Sequence, residues 1–483
     1  MKFADIAKRT LACFLALIML FSFASCAPSA PDNGENSQEG ENSGNEEEET
    51  PLYTEEELAK FAEYAVRNAE RALVISQATI DMYVDSTYKR TSVVKLAESC
   101  SISRTGKKSA TGTASVWHYT SFMAMASRML AITEGSDQSY YAKLYPNIYS
   151  SIKYYEGKGS VTTYNGTSSV SMYAVNRASS EGGANISGVL AVYDDQMWII
   201  REMIYVYNLT GQEKFLEEAV RLTDICLDGW DTTEDGKGNE IGGICWGPGY
   251  STKHTCSNAP IIVALVDLYD IYTALGDSEK AAYYLEWAEK VYAFCIKYFM
   301  MSNGIYGDLV GSSRVEEGSG KNKHYVTTSQ STGLDQSAYT YNTGAMIAGG
   351  AALYRATGEQ KYYTQTRKSV RNVTKFFANS NVVDGYDLWP TGRIWFDLIL
   401  LEGVLEFYDS DPEDCIKVIN SFQNWLDYGY DNYLDDGFLP NNFLKGWDTK
   451  NEKDTSKDVM DQTSCATIYA ELSDFYARIS SGN

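Results

Sequence analysis

The chain has 483 residues, of which 41 are basic and 64 acidic, for a formal net charge of −23 at pH 7. So acidic a balance excludes nucleic acid, anionic lipid headgroups and polyanions as binding partners and leaves neutral ligands open. Only three histidines occur, His118, His254 and His324, too few for a histidine-built metal site or a Ser-His-Asp hydrolase, and no metal or organic cofactor is expected.

Residues 1–25 read as a leader. Lys2, Lys8 and Arg9 precede the apolar run Leu11 to Phe23, which is shorter than the roughly 20 residues a membrane span needs. Phe23-Ala24-Ser25-Cys26 resembles the lipobox of bacterial lipoprotein signal peptides, a plain secretory cleavage site being the alternative. On the lipobox reading Cys26 is acylated, and the protein is tethered by lipid alone to the bacterial envelope, at the cell surface. Residues 26–53 are then the acylated cysteine and a linker. Its segment 27–50 holds eight acids, no base and no large apolar residue, a composition that cannot bury a core.

The remaining body, 54–483, is one domain in this reading. Without the leader's three bases and one acid and the linker's eight acids, 38 bases face 55 acids, still strongly acidic. Seven cysteines, at 100, 226, 245, 256, 295, 415 and 465, form no CxxC pair and are odd in number, so they fit buried thiols better than a disulfide or zinc framework. The chain's 37 tyrosines and 9 tryptophans supply flat amphipathic faces that suit sugar rings as well as interiors. A monomer is the expected state.

Apolar periodicity predicts about twelve helices, near 55–84, 115–133, 137–155, 195–209, 212–229, 257–274, 277–300, 342–356, 359–379, 393–408, 411–428 and 457–479. Almost no alternating strand pattern of useful length appears. Successive helices meet at similar joints, such as "VYNLTGQEKFLEEAV" and "LYRATGEQKYYTQTR", and the marker glycines Gly135, Gly211, Gly276 and Gly358 lie 76, 65 and 82 residues apart. That period fits a helical hairpin plus a long loop. Six such hairpins predict an all-α (α/α)6 barrel. First members such as "TGAMIAGGAALYRAT" are apolar nearly all round and suit the inner ring; second members such as "EKFLEEAVRLTDICL" are amphipathic and suit the outer one. The long loops near 157–192, 230–256 and 303–341 all precede first members, so they gather at one end of the barrel, and loops of that length are usually functional.

One of those loops runs into "VYDDQMWIIREM", where Asp194 and Asp195 stand side by side at the edge of an apolar run. A helix cap followed by a first-turn acid accounts for them structurally. The alternative is a glycosidase pair. Retaining glycosidases hold two carboxyls about 5–5.5 Å apart, and adjacent residues, with α-carbons about 3.8 Å apart, reach that separation naturally. Two close carboxylates also repel, raising one pKa and leaving the other group ionised. A second adjacent pair, Asp435-Asp436 in "YDNYLDDGFLP", sits in a turn context and is assigned no chemistry.

The pair is followed by "GGICWGPGYSTKHTCSNAP" (Gly242 to Pro260), "NGIYGD" (Asn303 to Asp308) and "YTYNTGAMIAGGAALYRATG" (Tyr339 to Gly358). Together, and in this order, these motifs resemble glycoside hydrolase family 76, which contains bacterial endo-α-1,6-mannanases and related fungal cell-wall transglycosidases on an (α/α)6 barrel. The resemblance implies Asp194 as nucleophile and Asp195 as acid/base. It also implies a cleft-lining segment ending at Trp246, a Lys-x4-Asn element at Lys253 and Asn258, a sugar-holding acid at Asp308, and a Tyr-Thr-Tyr-Asn signature at Tyr339, Tyr341 and Asn342. Trp117, which opens "WHYTSFMAMASRM", is a candidate sugar platform. Each has a plainer reading: packing for Trp117, Trp246 and Tyr339, helix capping for Asn258 and Asn342, a solvated loop charge for Lys253 and a turn for Asp308. The sequence departs from the family at Gly392-Arg-Ile-Trp-Phe-Asp397, where Asp397 replaces a basic residue, at Cys245 and Cys256, and at the unplaced "GYDLWPTG". The function so implied is an endo-acting, retaining hydrolase of α-1,6-mannan, with α-mannan or manno-oligosaccharide as its partner. A cell-wall transglycosidase and a non-catalytic glycan-binding lipoprotein are the rivals.

Overall fold

The computed structural model describes residues 52–102, 108–447 and 456–481. The leader, Cys26 and the acidic linker lie outside the described residues. A single compact body begins at Tyr53. Among the described residues no helix is long and apolar enough to cross a membrane.

Among the described residues twelve long helices carry the body: α1 (Glu55–Tyr83), α2 (Val116–Ile132), α3 (Gly135–Ser151), α4 (Tyr193–Thr210), α5 (Glu213–Asp228), α6 (Ala259–Ala274), α7 (Ser278–Phe299), α8 (Thr340–Thr357), α9 (Gln360–Phe377), α10 (Ile394–Phe407), α11 (Pro412–Tyr433) and α12 (Val459–Ser480). Thr54 and Glu57 start α1 with a capping box: the Thr54 hydroxyl accepts the Glu57 N–H at 3.2 Å, and the Glu57 carboxylate accepts the Thr54 N–H at 2.8 Å.

The even-numbered helices form a closed inner ring, each packed on the next and α12 on α2. The odd-numbered helices surround them. The difference is written in their apolar content. Ten of the sixteen residues of α6 are buried, whereas α9 buries only Tyr362, Thr366, Ser369, Val370 and Val373, a single stripe at helical spacing. Within the inner ring, α8 and α10 touch backbone to backbone: a Cβ on Gly344 would lie 2.4 Å from the Ile399 carbonyl, and one on Gly403 2.3 Å from the Gly344 carbonyl. Only glycine permits that approach.

The (α/α)6 barrel stands, with two corrections to the expectations. It contains five sequential hairpins, not six. The sixth pair joins the chain's ends, α1 packing on α12, so the barrel closes only when both ends are in place. The long loops are also not strand-free. Antiparallel strands β3 (Glu156–Thr162), β4 (Thr167–Tyr173), β5 (Lys253–His254), β6 (Leu309–Glu317) and β7 (His324–Leu334) occupy them, and further strands lie in other connections: β1 (Ser99–Ile102), β2 (Lys108–Thr111), β8 (Asn379–Val383), β9 (Tyr386–Leu388) and β10 (Ser456–Asp458). β3 and β4 form a hairpin in register from Glu156↔Tyr173 to Thr162↔Thr167. The strands β5-β6-β7 form a sheet in that order. The two units abut, the Tyr325 N–H donating to the Thr163 carbonyl at 2.8 Å and the Thr167 hydroxyl to the Lys323 carbonyl at 2.7 Å. Together they wall one side of the end where inner helices begin.

The departures from the family pattern have structural accounts. In "GYDLWPTG", Trp389 is fully buried, stacks on Phe422 with centroids 4.3 Å apart, and donates its indole N–H to Ser421 at 3.1 Å, anchoring that loop to α11. Asp397 is fully buried, accepts the Thr340 hydroxyl at 2.9 Å, and ties the starts of α8 and α10 together. Burial pushes its carboxyl well above the usual range, so it serves as a neutral acid where a buried unpaired charge would be costly. The seven cysteines are all buried and unbridged.

Candidate active site

The acid pair lies in the first turn of α4. The N-cap is Val192, and no side chain caps the helix, which removes the capping account of Asp194. Its Oδ2 instead accepts the Trp246 indole N–H at 3.0 Å, and its Oδ1 accepts the Asp195 backbone N–H at 3.0 Å. The Tyr193 N–H donates to the Trp246 carbonyl at 2.8 Å, so the loop carrying Trp246 is stitched to the helix start on both sides of its indole. Asp195 is 8 % exposed, and among the described residues no cation pairs with either aspartate.

Two effects compete over the protonation of this pair. A helix N-terminus favours negative charge, but only by about 0.3–1 kcal/mol; burial of a carboxylate shifts its pKa by up to about 3–5 units. Burial wins. It pushes the Asp194 carboxyl up to about 6, against the pull of hydrogen bonds from Trp246, Cys256 and the backbone. Asp195 is pushed well above the ordinary carboxylate value, by burial first and by the charge of Asp194 second. The two groups thus separate: Asp194 gives up its proton first, and Asp195 keeps its own.

Around the pair, Tyr341 faces Cys256, Asp308 and Asp194, whose charges add to burial in raising its hydroxyl pKa. Its ring stacks on Phe396, centroids 4.3 Å apart at 23°, and Tyr339, 40 % exposed, continues the aromatic strip at 6.0 Å. Asp308 is partly buried and its carboxyl is raised by burial. Asn342 donates to it across a long 3.4 Å contact; Asn342 sits inside the first turn of α8, after the N-cap Tyr339, so it is not a cap. On the other side Trp246 stacks on His254, centroids 4.9 Å apart at 25°, and meets Tyr250 at 4.6 Å. Burial lowers the His254 pKa to about 4, so this imidazole is neutral.

Three candidates fall outside this constellation. Lys253 is neither a cleft contact nor a solvated charge. It is fully buried, and its ammonium donates to Asp231 at 2.6 Å, to the Gly242 carbonyl at 2.6 Å and to Gln330. Asn258 occupies the N-cap position of α6 without capping it. Its Oδ1 accepts the Ile244 N–H at 2.8 Å, and its Nδ2 donates to the carbonyls of Ile244 and His254 at 2.9 and 2.8 Å. Both residues brace the Gly242–Trp246 loop from behind, which keeps the Trp246 indole on Asp194. Trp117 packs edge-on to Trp395 at 5.2 Å and stacks on Phe396 at 5.9 Å, one layer beneath the aromatic strip.

Sequence reasoning missed Cys256, His254, Tyr250, Phe396 and Asp231. His254 and Cys256 lie inside a motif already singled out, and Asp231 is the one acid able to neutralise a buried Lys253, but nothing in the linear pattern pairs them.

The architecture and this constellation define a helical-barrel glycosidase class. A family 76 glycoside hydrolase (mannosidase) from Bacteroides thetaiotaomicron superposes with a TM-score of 0.65 at 21% identity, covering 86% of this chain and 99% of the other. An inactive variant of a Salegentibacter α-1,6-mannanase, solved with α-1,6-mannotriose, superposes with a TM-score of 0.57 at 17% identity, covering 84% and 99%. At such identities the likeness is one of fold. The sequence model of glycosyl hydrolase family 76 matches residues 148–406, just over half of the chain, and the chain belongs to that family. Among curated relatives, the mannan endo-1,6-α-mannosidase DCW1 of Saccharomyces cerevisiae is 29% identical over 154 residues, 32% of this chain and 30% of that protein. Its Candida glabrata namesake is 28% identical over 151 residues, 31% and 30%. The match thus spans less than a third of either relative.

Proposed function

We propose that this protein is an endo-acting, retaining hydrolase of α-1,6-mannan, with Asp194 as nucleophile and Asp195 as acid/base. The observation that carries the reading is the adjacent acid pair at an inner-helix start, Asp195 buried and Asp194 half-buried on the Trp246 N–H, with no cation paired to either among the described residues and with burial raising both carboxyls. Between the two pKa values Asp194 is ionised and Asp195 is protonated, the state a retaining glycosidase needs at the start of its cycle. Asp194 attacks the anomeric carbon while Asp195 gives its proton to the departing glycosidic oxygen. In the second step Asp195 takes a proton from water, whose oxygen displaces Asp194 from the anomeric carbon. The Trp246 N–H stabilises the carboxylate of Asp194 and fixes its orientation. In this reading Tyr339, Tyr341, Asp308 and Asn342, grouped beside the pair, are the residues that hold the neutral sugar; the Tyr341–Asp194 proximity and the Asn342–Asp308 contact support it.

Mannan as the substrate is supported by the names of the yeast relatives and by the mannotriose complex of a fold neighbour whose inactive form carries two consecutive aspartate-to-asparagine changes. Attachment of the protein to the bacterial surface through acylated Cys26 is supported by the lipobox-like leader and the acidic linker behind it; loss of labelled palmitate from the Cys26→Ser form would check it. For the reaction, reducing-sugar release from unbranched α-1,6-mannan is measured for the wild type, Asp194→Asn and Asp195→Asn. Activity lost in both variants supports the assignment. Full activity in either variant overturns it, and a product of inverted anomeric configuration overturns the mechanism.

A further inference from the structure

The loop that places Trp246 on Asp194 is gripped at a point the proposed mechanism does not use. Pro248, two residues past Trp246, offers its carbonyl to the Arg314 guanidinium, Nη2 donating at 2.6 Å. Arg314 stands on β6 opposite Thr327 of β7, and the ladder slips between Ser313 and Arg314. Irregularities of this kind re-aim side chains beside sites. Here the guanidinium lies 3.6 Å from the centroid of the Tyr325 ring, and its Nη1 reaches Cys245 Sγ at 3.8 Å. Among the described residues no carboxylate pairs with Arg314. Its N–H groups and its flat face are engaged by the loop and by Tyr325.

The cross-strand neighbour of Arg314 holds the same loop elsewhere. The Thr327 hydroxyl donates to Asp231 at 2.6 Å, and Asp231 accepts from Lys253, also at 2.6 Å. On its other side the loop meets the entry to α4. A Cβ on Gly247 would lie 2.7 Å from the Ala191 carbonyl oxygen and 2.9 Å from the α-carbon of Val192, the N-cap of α4. The segment Trp246 to Pro248 is thus fixed between the helix entry and Arg314. Trp246 makes three contacts there: its carbonyl accepts from the Tyr193 N–H at 2.8 Å, its own N–H donates to the Thr252 carbonyl at 2.9 Å, and its indole donates to Asp194 at 3.0 Å. Of these the indole contact is the one that a small shift of the segment breaks first, because it is a single side-chain bond outside any ladder.

We infer that Arg314 is a positioning residue for the acid pair: by holding the Pro248 carbonyl it keeps the segment against the start of α4 and so keeps the Trp246 indole N–H on Asp194. Its effect on turnover rests on the proposed function; its effect on Trp246 does not. The chain has nine tryptophans, and in a proton–nitrogen correlation spectrum of the full chain the indole signal missing from Trp246→Phe belongs to Trp246. In Arg314→Met that signal should move upfield as its bond to the carboxylate is lost, while the indole signals as a set stay dispersed, which shows the barrel folded. Should the methionine form not fold, Arg314→Gln, polar but shorter, carries the same expectation. On unbranched α-1,6-mannan, Arg314→Met should lower kcat by about 10–100-fold, as small misplacements at a site do, and change KM by less than about twofold. In the Trp246→Phe background the same change should cost less than about twofold, because both act through one contact. A Trp246 signal unmoved in a folded Arg314 variant overturns the inference, and so does an undiminished loss of kcat in the Trp246→Phe background. A displaced signal in a protein inactive on every α-mannan would sustain the inference while refuting the proposed function.

Discussion

The same dipeptide, Asp-Asp, occurs at 194–195 and at 435–436, and the two copies have opposite fates. Asp435 and Asp436 are exposed. They lie in a tight turn closed by the Asp435 N–H to the Phe438 carbonyl at 3.0 Å and the reverse bond at 2.9 Å, with Asp436 and Gly437 both at positive φ. Water screens that pair, and no chemistry follows. Asp194 and Asp195 share the start of a buried inner helix under a braced loop, Asp195 buried and Asp194 half-buried, with no cation paired to either among the described residues. Burial, rather than residue identity, converts two ordinary carboxyls into groups that titrate apart.

The comparison can be broken most sharply at the carboxyls themselves. Asp195→Asn should lower kcat by about 10²–10⁴, the usual contribution of general acid–base catalysis, and Asp194→Asn by at least as much. The next largest effect concerns the brace. Lys253→Met leaves Asp231 buried without its partner and should cost about 3–5 kcal/mol in chemical denaturation. Adding Asp231→Leu should restore most of that stability, because the pair is then replaced by apolar groups.

The protonation order makes two further predictions. Trp246→Phe removes an N–H donor from the ionised form of Asp194, so the acid limb of kcat/KM should move up from about 6 by about one unit, as expected for a hydrogen bond to a charged group. An unmoved limb would show that a different group titrates there. Both pair carboxyls have folded pKa values above their unfolded values, so the folded state binds more protons. The stability they contribute is therefore present below pH 4 and is lost as pH rises through about 6 and beyond. The double Asp194→Asn, Asp195→Asn variant should melt higher than wild type at pH 8 and lose that advantage at pH 4. The smallest effect belongs to the control pair: Asp435→Asn should change stability by less than about 0.5 kcal/mol and leave activity unchanged.

Much of the barrel was legible because inner and outer helices differ in apolar content, a property that twenty residues display by themselves. The strands were not. β3 and β4, "EGKGSVT" and "TSSVSMY", are built from Gly, Ser and Thr with few apolar residues to alternate, though Asn165-Gly166 between them is a recognised hairpin turn signal. β6 and β7 pair through two register shifts, which break the period of two. Lys253 was misread for a related reason: a lysine in a Gly-rich loop is ordinarily solvated, and its partner Asp231 stands 22 residues away in the chain.

By itself the sequence determined the helices, their division into two rings, the end at which the long loops gather, and the pair of acids at an inner-helix start. These follow from local patterns of apolarity and turn residues. Only the tertiary structure decided which neighbours each acid meets, that Trp246 points its N–H at Asp194, and that Lys253 and Asn258 hold the loop instead of the ligand. Those outcomes depend on desolvation and on contacts between distant segments, and neither is encoded in any one stretch of chain.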